Sequence, residues 1–227
     1  MTSATYTSHR HKLETYFDRT AAKAWEQLTS DAPVSGIRAT VRAGRDRMRA
    51  TLLSWLPGDM RGMRLLDAGC GTGALAVEAA RRGAHVVAID VAGSLVDVAR
   101  RRAPAGLAID WHVGDMLDPS LGRFDHVVAM DSLIHYPAID IVEVVRGLAE
   151  RTRGSVVFTV APRTPALTVM HNVGKLFPKS DRAPAIIPVG DRLLRSLIKG
   201  ALPAARIGRS ERVGGGFYIS QAVEVLS

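Results

Sequence analysis

Cysteine is nearly absent from this chain of 227 residues, since Cys70 is the only one. A single cysteine excludes a disulfide within the chain and a metal site built from several thiolates. His9 and His11 lie in a segment so polar that we expect a disordered tail rather than a metal site. The sequence therefore predicts no metal held by the protein itself.

Long hydrophobic runs are also missing. No apolar stretch approaches the ~20 residues that a membrane-spanning helix needs, although 47% of the residues are hydrophobic. Residues 1–8 are polar and lack the apolar core of a secretory signal. We therefore expect one cytoplasmic domain, whose contact with a membrane, if any, is peripheral.

Aromatic residues make up only 5% of the chain, and lysines only five of the 30 basic residues. The formal net charge of +8 therefore comes mainly from arginine. Single strands of nucleic acid need aromatic platforms beside the basic groups, so we predict no nucleic-acid partner. One group of arginines at helical spacing is typical of a solvated helix face. It comprises Arg38, Arg42, Arg45 and Arg49.

Glycine, in contrast, stands directly after an apolar strand. Residues 64–73 read Arg-Leu-Leu-Asp-Ala-Gly-Cys-Gly-Thr-Gly, and a helix is predicted from Ala74. Glycines here let the backbone turn sharply and approach a ligand, while the helix N-terminus attracts an anionic group. The pattern predicts a nucleotide-type cofactor site. Gly69, Gly71 and Ala74 also satisfy the G-x-G-x-x-A pattern of dinucleotide-binding proteins.

Acidic residues at the ends of successive predicted strands narrow the choice of cofactor. Asp90 ends the strand at 85–90, where a carboxylate can accept hydrogen bonds from ribose hydroxyls. Asp115 follows the third strand, where it can accept from an adenine amino group while Met116 packs on the ring. A dehydrogenase does not need that third acid, so the pattern disfavours a nicotinamide cofactor.

The order of the predicted elements indicates an α/β fold. Two amphipathic helices precede the first strand, and strands and helices then alternate, which predicts a parallel sheet covered on both faces. Ser94 and Asp97 predict a capping-box start for one helix. Another helix is predicted at 138–152. Two segments flanking three glycines near the C-terminus predict an antiparallel hairpin.

Changes in composition and in hydrophobic periodicity divide the chain into four predicted segments. We predict an N-terminal helical arm or lid at 1–56 and a cofactor-binding core at 57–162. Residues 163–190, rich in proline and without clean periodicity, are predicted to form a substrate lid insertion. Residues 191–227 are predicted to add a helix and the hairpin that completes the core.

Together these motifs resemble the class I S-adenosylmethionine-dependent methyltransferases. The resemblance implies a Rossmann-like fold with a seven-stranded, mostly parallel sheet, an antiparallel last strand, an N-terminal helical lid and an insertion after strand five. It implies S-adenosyl-L-methionine as cofactor and S-adenosyl-L-homocysteine as product. The implied cofactor-binding residues are Asp67, Gly69, Cys70, Gly71, Gly73, Asp90, Val91, Asp115, Met116 and Asp131.

Motifs outside the cofactor loop resemble one family, the magnesium-protoporphyrin IX O-methyltransferases of (bacterio)chlorophyll biosynthesis, which esterify a propionate of the porphyrin. These motifs are Tyr16-Phe17 and residues 131–137, 161–165, 170–178 and 181–186. The resemblance implies that Tyr16 lies on a mobile segment over the cofactor and that His135 is catalytic. The chain departs from the family at Ala24-Trp25, where an arginine–tryptophan pair is expected.

A porphyrin needs a wide apolar surface with cations at its rim. The predicted substrate-binding residues are Tyr136, Arg163, Met170, His171, Lys175, Phe177 and Arg182, with a solvated loop as the alternative for each charged one. The implied partners are the small-molecule substrate magnesium-protoporphyrin IX and a magnesium chelatase subunit that could hand it over.

The chemistry limits what His135 does. A propionate resembles a Glu side chain with a pKa near ~4.3, so it is ionised at neutral pH and needs no general base. His135 is therefore predicted to orient the carboxylate, or to remove a proton only if burial raises the pKa of the acid. Three alternatives stay open: a histidine that only packs, a methyltransferase for another amphiphilic ring such as a quinone precursor, and a porphyrin carrier without catalysis.

Overall fold

The computed structural model describes residues 3–21, 26, 29, 36–163 and 185–226. Seven strands form one mixed sheet in this part of the chain. They are β1 (Arg64–Ala68), β2 (His85–Asp90), β3 (Ile109–Val113), β4 (Phe124–Ala129), β5 (Thr152–Val160), β6 (Arg206–Gly215) and β7 (Tyr218–Leu226). Their order across the sheet is β3-β2-β1-β4-β5-β7-β6.

Neighbouring strands from β3 through β5 pair in parallel, whereas β7 pairs antiparallel with both β5 and β6. The predicted seven-stranded, mostly parallel sheet with a reversed last strand is therefore confirmed. The order reverses at β1, because β2 lies on one side of it and β4 on the other. In open α/β sheets a ligand binds outside the carboxyl ends of the strands at such a point.

Helices cover both faces of the sheet. Those of the described chain are α1 (Ala4–Thr15), continued by a π-helical turn at Tyr16–Ala21, α2 (Gly36–Ser54), α3 (Ala74–Arg81), α4 (Gly93–Arg102), α5 (Ala138–Ala149) and α6 (Asp191–Ala201). None of these helices is both long enough and apolar enough to cross a bilayer.

Alternation along the strands builds two cores, because successive side chains point to opposite faces. Leu65 and Val86 pack in a cluster with residues of α2, α3 and α4. Their neighbours Leu66 and Val87 pack in a second cluster with α1, α5 and α6. Helices from both ends of the chain are thereby anchored on the faces of the sheet.

The expected disordered tail around His9 and His11 is wrong. Both residues lie in α1, which begins at Ala4 and buries Tyr6 and Leu13 in the second cluster. Tyr6 is the only large apolar residue between Ala4 and His11, so periodicity does not reveal a helix before Leu13. The tertiary contact decides that the helix begins there.

The expected capping box at Ser94 and Asp97 is also wrong. Helix α4 begins at Gly93, and its first turn receives no side-chain cap from the preceding residue. Instead, Asp18 in the π-helical turn accepts a hydrogen bond from the backbone N–H of Ser94 at 2.9 Å. A carboxylate distant in sequence therefore caps the helix and fixes the N-terminal arm to the core.

Several predicted site residues lie outside the described residues, together with the departure at Ala24-Trp25. They are Met170, His171, Lys175, Phe177 and Arg182. The division of the chain into four segments stays a prediction.

Candidate active site

A cavity of about 430 Å³ opens at the carboxyl edge of the sheet, where β1, β2 and β4 end. Helices α1 and α2 and the turn between β6 and β7 complete its walls. Most of the predicted cofactor residues line it: Asp67, Gly69, Cys70, Gly71, Asp90, Val91, Met116 and Asp131. The sequence motifs therefore converge on one site.

Asp90 holds the glycine loop in place. Its Oδ2 accepts a hydrogen bond from the backbone N–H of Gly71 at 2.8 Å, and its Oδ1 accepts one from Ala92 at 2.9 Å. Burial raises the pKa of Asp90, although these backbone hydrogen bonds favour the charged form. One carboxylate thus joins the loop after β1 to the start of α4.

The loop glycines Gly69, Gly71 and Gly73 differ in what surrounds the position of a Cβ atom. All have positive φ angles. A Cβ on Gly69 would overlap Ser132, and one on Gly73 would lie 2.5 Å from the Trp111 ring, so these two glycines permit close packing. A Cβ on Gly71 would meet nothing within 4 Å, because that residue borders the cavity. Gly73 packs behind the loop rather than in the cavity wall.

Asp67 is the most constrained acid of the site. It is 1% exposed, and its Oδ2 has no hydrogen-bond partner. Burial, together with the nearby charge of Asp90, raises the pKa of Asp67 to about 7. An ionised carboxylate here needs a cation, because leaving a buried charge unpaired is costly.

Asp131 connects β4 to two other walls of the cavity. It is the one residue other than glycine with a positive φ, 54°, in the described chain. Its Oδ1 accepts a hydrogen bond from the Tyr218 hydroxyl at 2.9 Å, and its Oδ2 lies 3.3 Å from Nε of Arg45. The strained backbone is stabilised by the hydrogen bond from its N–H to Thr159 Oγ1 at 2.7 Å.

Asp115 faces the N-terminal arm instead of the cavity. Its Oδ1 accepts hydrogen bonds from the Tyr6 hydroxyl at 2.6 Å and the Leu117 N–H at 2.9 Å, and its Oδ2 pairs with Arg10 at 3.2 Å. Its neighbour Met116 does line the cavity. In this structure the carboxylate expected beside an adenine holds α1 against the core.

Tyr6 is a site residue that the sequence analysis missed. Its ring stacks on that of Tyr136 with 5.3 Å between centroids, and both residues are almost fully buried. Burial raises the pKa of both phenols, so they stay neutral at physiological pH. The i, i+7 pair of Tyr6 and Leu13 is the only sequence signal that could have identified this buried helix face.

His135 and Tyr16 meet at the same wall of the cavity. His135 ends the 3₁₀ turn after β4, and its ring lies 6.1 Å from that of Phe17, which in turn lies 5.2 Å from Tyr16. Nδ1 of His135 is 3.4 Å from the carbonyl oxygen of Ala185. Donation to that carbonyl requires the proton on Nδ1, which makes Nε2 the acceptor of the neutral ring.

Of the predicted substrate-binding residues that the structure describes, one lines the cavity and one does not. Tyr136 lines the cavity, whereas Arg163 is exposed and outside its wall. The arginines that do border the cavity lie on α2, where a solvated helix face was expected: Arg42, Arg45 and Arg49. Their spacing predicted a shared face, but not the surface against which it packs.

Known proteins resemble this chain along nearly its whole length. Residues 129–227 match the family described as Magnesium-protoporphyrin IX methyltransferase C-terminus, and residues 65–154 match the family described as Methyltransferase domain. The Magnesium-protoporphyrin O-methyltransferase of Rhodobacter capsulatus is 52% identical over 96% of this chain and 97% of its own length.

A solved structure and a relative with a different named activity also resemble this chain. The crystal structure of magnesium protoporphyrin IX methyltransferase from Synechocystis PCC 6803 with bound SAH has a TM-score of 0.85 and 25% identity, covering 96% of this chain and 99% of that chain. The Ubiquinone biosynthesis O-methyltransferase of Xanthomonas oryzae pv. oryzae is 30% identical over 93% of this chain and 85% of its own length.

Substitution of Asp67→Asn should flatten the pH dependence of stability. Because the folded-state pKa of about 7 lies above the usual 3.8, the neutral acid stabilises the fold at low pH and this contribution is lost as pH rises through 7. Between pH 5 and pH 8, the free energy of unfolding should fall by roughly 2–3 kcal/mol more in the parent than in the variant. Urea unfolding measures it.

The exposed Asp97→Asn serves as the matched control and should keep the parental slope. If Asp67→Asn and the parent lose stability in parallel, the Asp67 carboxyl is not held in its neutral form by burial.

Proposed function

Because this chain belongs to the magnesium-protoporphyrin O-methyltransferase family, we propose that it transfers a methyl group from S-adenosylmethionine to a propionate carboxylate of magnesium-protoporphyrin IX, giving the monomethyl ester. The 52% identity to the Rhodobacter capsulatus enzyme carries this conclusion, since it extends over nearly both whole chains. The family match at 129–227 includes the 3₁₀ turn of His135, outside the glycine loop that many methyltransferases share.

The residues of the cavity fit this cofactor. Asp67 presents a buried oxygen without a partner, which suits a cationic group, and Gly71 borders open space that a side chain would fill. Asp90 can accept a further hydrogen bond, because a carboxylate offers about four lone-pair sites and the backbone N–H groups of Gly71, Ala92 and Val91 use three of them here. We propose that Val91 and Met116 pack against the adenosine portion of S-adenosylmethionine. Bound S-adenosylmethionine supplies an electrophilic methyl group on a sulfonium.

His135 acts in this proposal as a positioning group for the carboxylate. A propionate is already ionised at neutral pH and needs no base. With the Nδ1 proton directed at Ala185, the neutral ring presents an acceptor at Nε2 and cannot hold an anion there. Orientation of a carboxylate through Nε2 therefore requires the imidazolium form, whereas general-base catalysis requires the neutral form.

The N-terminal arm excludes water from the site. Methyl transfer from a cation to an anion neutralises both charges, so water stabilises the reactants more than the transition state. Tyr6, Tyr16 and Phe17 place aromatic rings over the cavity, and Asp115 and Asp18 fasten the arm that carries them. We propose that Tyr16 contributes through this closure.

A quinone precursor is the second candidate substrate, supported by the 30% identical ubiquinone relative. A phenol has a pKa near ~10 and would need His135 as a base. The higher identity and the family match at 129–227 favour the porphyrin.

Handover from a magnesium chelatase subunit and peripheral contact with a membrane remain predictions. Both are supported by one apolar side chain, because Phe217 lines the cavity and is 62% exposed.

Purified protein with S-adenosylmethionine and magnesium-protoporphyrin IX should yield porphyrin that has gained a single methyl group by mass spectrometry. Two added groups would contradict the monomethyl ester. Methylation of a quinol but not of the porphyrin would replace the substrate, and tight porphyrin binding without any methylation would indicate a carrier.

Substitution of Gly71→Val should abolish binding of S-adenosylhomocysteine in calorimetry while the protein stays folded. The valine side chain would enter the cavity. Gly106→Val is the matched control, since Gly106 also has a positive φ and open space around it but lies outside the cavity. Both variants place a valine at a positive φ, so equal binding by both would place the cofactor elsewhere.

Replacement of His135→Ala should lower kcat by about 100-fold or more, because the carboxylate loses its alignment with the methyl group. The affinity for S-adenosylhomocysteine should stay within twofold. His135→Gln should recover part of the rate if the residue orients the substrate, since glutamine donates a hydrogen bond but cannot act as a base. Single-turnover kinetics separates these roles. No recovery by glutamine would favour the base.

A further inference from the structure

The strained residue of the site, Asp131, lies just before the turn that carries His135. Strand β4 ends at Ala129, and the 3₁₀ turn begins at Leu133 and ends at His135. The φ of Asp131, 54°, belongs to the left-handed region, which aspartate tolerates better than most side chains but still enters at a cost. The conformation of Asp131 therefore sets the direction in which the chain enters the turn.

Side-chain contacts stabilise this conformation of Asp131. Its Oδ1 accepts a hydrogen bond from the Tyr218 hydroxyl at 2.9 Å. Thr159 Oγ1 accepts a hydrogen bond from the Asp131 N–H at 2.7 Å and lies 3.4 Å from the same Oδ1. The Asp131 side chain is only 8% exposed, so its charge depends on partners in the protein more than on water.

Tyr218 is itself held firmly, so it can act as a fixed donor. It begins β7, whose antiparallel pairing with β5 places it beyond the carboxyl end of β5. Gly44 of α2 packs so closely on Tyr218 that an added Cβ would lie 2.5 Å from the Tyr218 Cβ. Burial, and then the charge of Asp131, raise the pKa of Tyr218, so the hydroxyl keeps its proton and donates it to the carboxylate.

The rest of the turn has its own anchors. Ser132 Oγ donates to the carbonyl oxygen of Ala68 at 2.8 Å, and the first residue of the turn is fully buried. The backbone N–H of Ile187 donates to the carbonyl oxygen of Ile134 at 2.9 Å. These contacts keep the turn folded, whereas the Tyr218 hydrogen bond acts on the residue that sets its direction. Loss of that bond should therefore reorient the turn without unfolding it.

We propose that Tyr218 is a positioning residue for methyl transfer, because its hydroxyl holds Asp131 in the left-handed conformation and thereby sets the placement of His135 at the cavity wall. Tyr218, Asp131 and His135 all line the cavity. The proposal rests on the proposed function, in which His135 orients the reacting carboxylate. A small displacement of an orienting group lowers the rate more than the affinity, since the reacting atoms must be closely aligned.

The test compares Tyr218→Phe, which removes only the hydroxyl, with Thr152→Val as the matched control. Thr152 begins β5, at the end opposite the cavity, and its Oγ1 donates a buried hydrogen bond to the carbonyl oxygen of Leu148 at 2.7 Å. Both variants lose one buried hydrogen bond, so urea unfolding should show that both are destabilised. A merely structural role for Tyr218 would make the two variants alike in activity as well.

Tyr218→Phe should lower kcat by about 10-fold or more in single-turnover kinetics, while KM for the porphyrin and the affinity for S-adenosylhomocysteine stay within about twofold. Thr152→Val should keep the parental kcat. When Tyr218→Phe is added to His135→Ala, kcat should fall by less than about a further twofold, because the group that Tyr218 positions is already absent.

Two kinetic outcomes would overturn the proposal. If the losses of kcat in Tyr218→Phe and His135→Ala multiply in the double variant, Tyr218 acts independently of His135. If Tyr218→Phe loses more affinity for S-adenosylhomocysteine than it loses kcat, Tyr218 contacts the cofactor instead of positioning the turn.

NMR signals of the histidine rings give a second readout, which needs no turnover. The His135 signals, assigned by their absence from the spectrum of His135→Ala, should shift in Tyr218→Phe and stay parental in Thr152→Val. Parental His135 signals in Tyr218→Phe would overturn the proposal. This comparison tests the positioning role even if the parent does not methylate the porphyrin.

Should Tyr218→Phe fail to fold by circular dichroism, variants of Asp131 provide the same comparison. Asp131→Asn should keep the His135 signals near their parental positions, since asparagine tolerates a positive φ and offers an acceptor to the Tyr218 hydroxyl. Asp131→Ala should shift them, because alanine has no acceptor. Equal shifts in the two variants would contradict the role of the Tyr218 hydrogen bond.

Discussion

The site depends on the hydrogen bonds that the Asp90 carboxylate accepts from the backbone. By accepting hydrogen bonds from Gly71 and Ala92, this carboxylate fixes two loops at the point where the strand order reverses. Its charge also raises the pKa of the neighbouring Asp67. Two buried acids side by side destabilise the protein alone and favour a ligand that brings positive charge. The same arrangement therefore shapes the cavity and favours a cationic ligand in it.

The N-terminal arm is held over this cavity by hydrogen bonds to carboxylates. Some of these carboxylates belong to the core and one belongs to the arm itself. Ser3 and Thr5 donate hydrogen bonds to Asp140, and Tyr6 donates to Asp115. Asp18 of the arm accepts from the start of α4. These contacts lie along one continuous stretch of helix, so its aromatic residues are brought over the cavity together. A reaction that neutralises opposite charges gains from such a cover, because it proceeds away from water.

Much of the core could be predicted because its signals are local. The glycine loop, the acids at strand ends and the terminal hairpin were all found from adjacent residues. Boundaries were less accurate: the helix predicted at 138–152 ends at Ala149, because Thr152 pairs with Phe124 as the start of β5. The lid motifs at 170–178 lie outside the described residues, so their role in substrate binding stays a prediction.

The sequence by itself determined the α/β order, the glycine loop, the placement of Asp67 and Asp90 at strand ends and that of His135 after β4. Each of these follows from hydrophobic periodicity and neighbouring residues. Only the tertiary structure decided that Asp115 turns toward Tyr6 and that the arginines of α2 face the cavity. Tyr6 and Asp115 are 109 positions apart, and no local pattern encodes which surfaces of two distant segments will meet. That choice is made by the packing of α1 and α2 against the completed sheet.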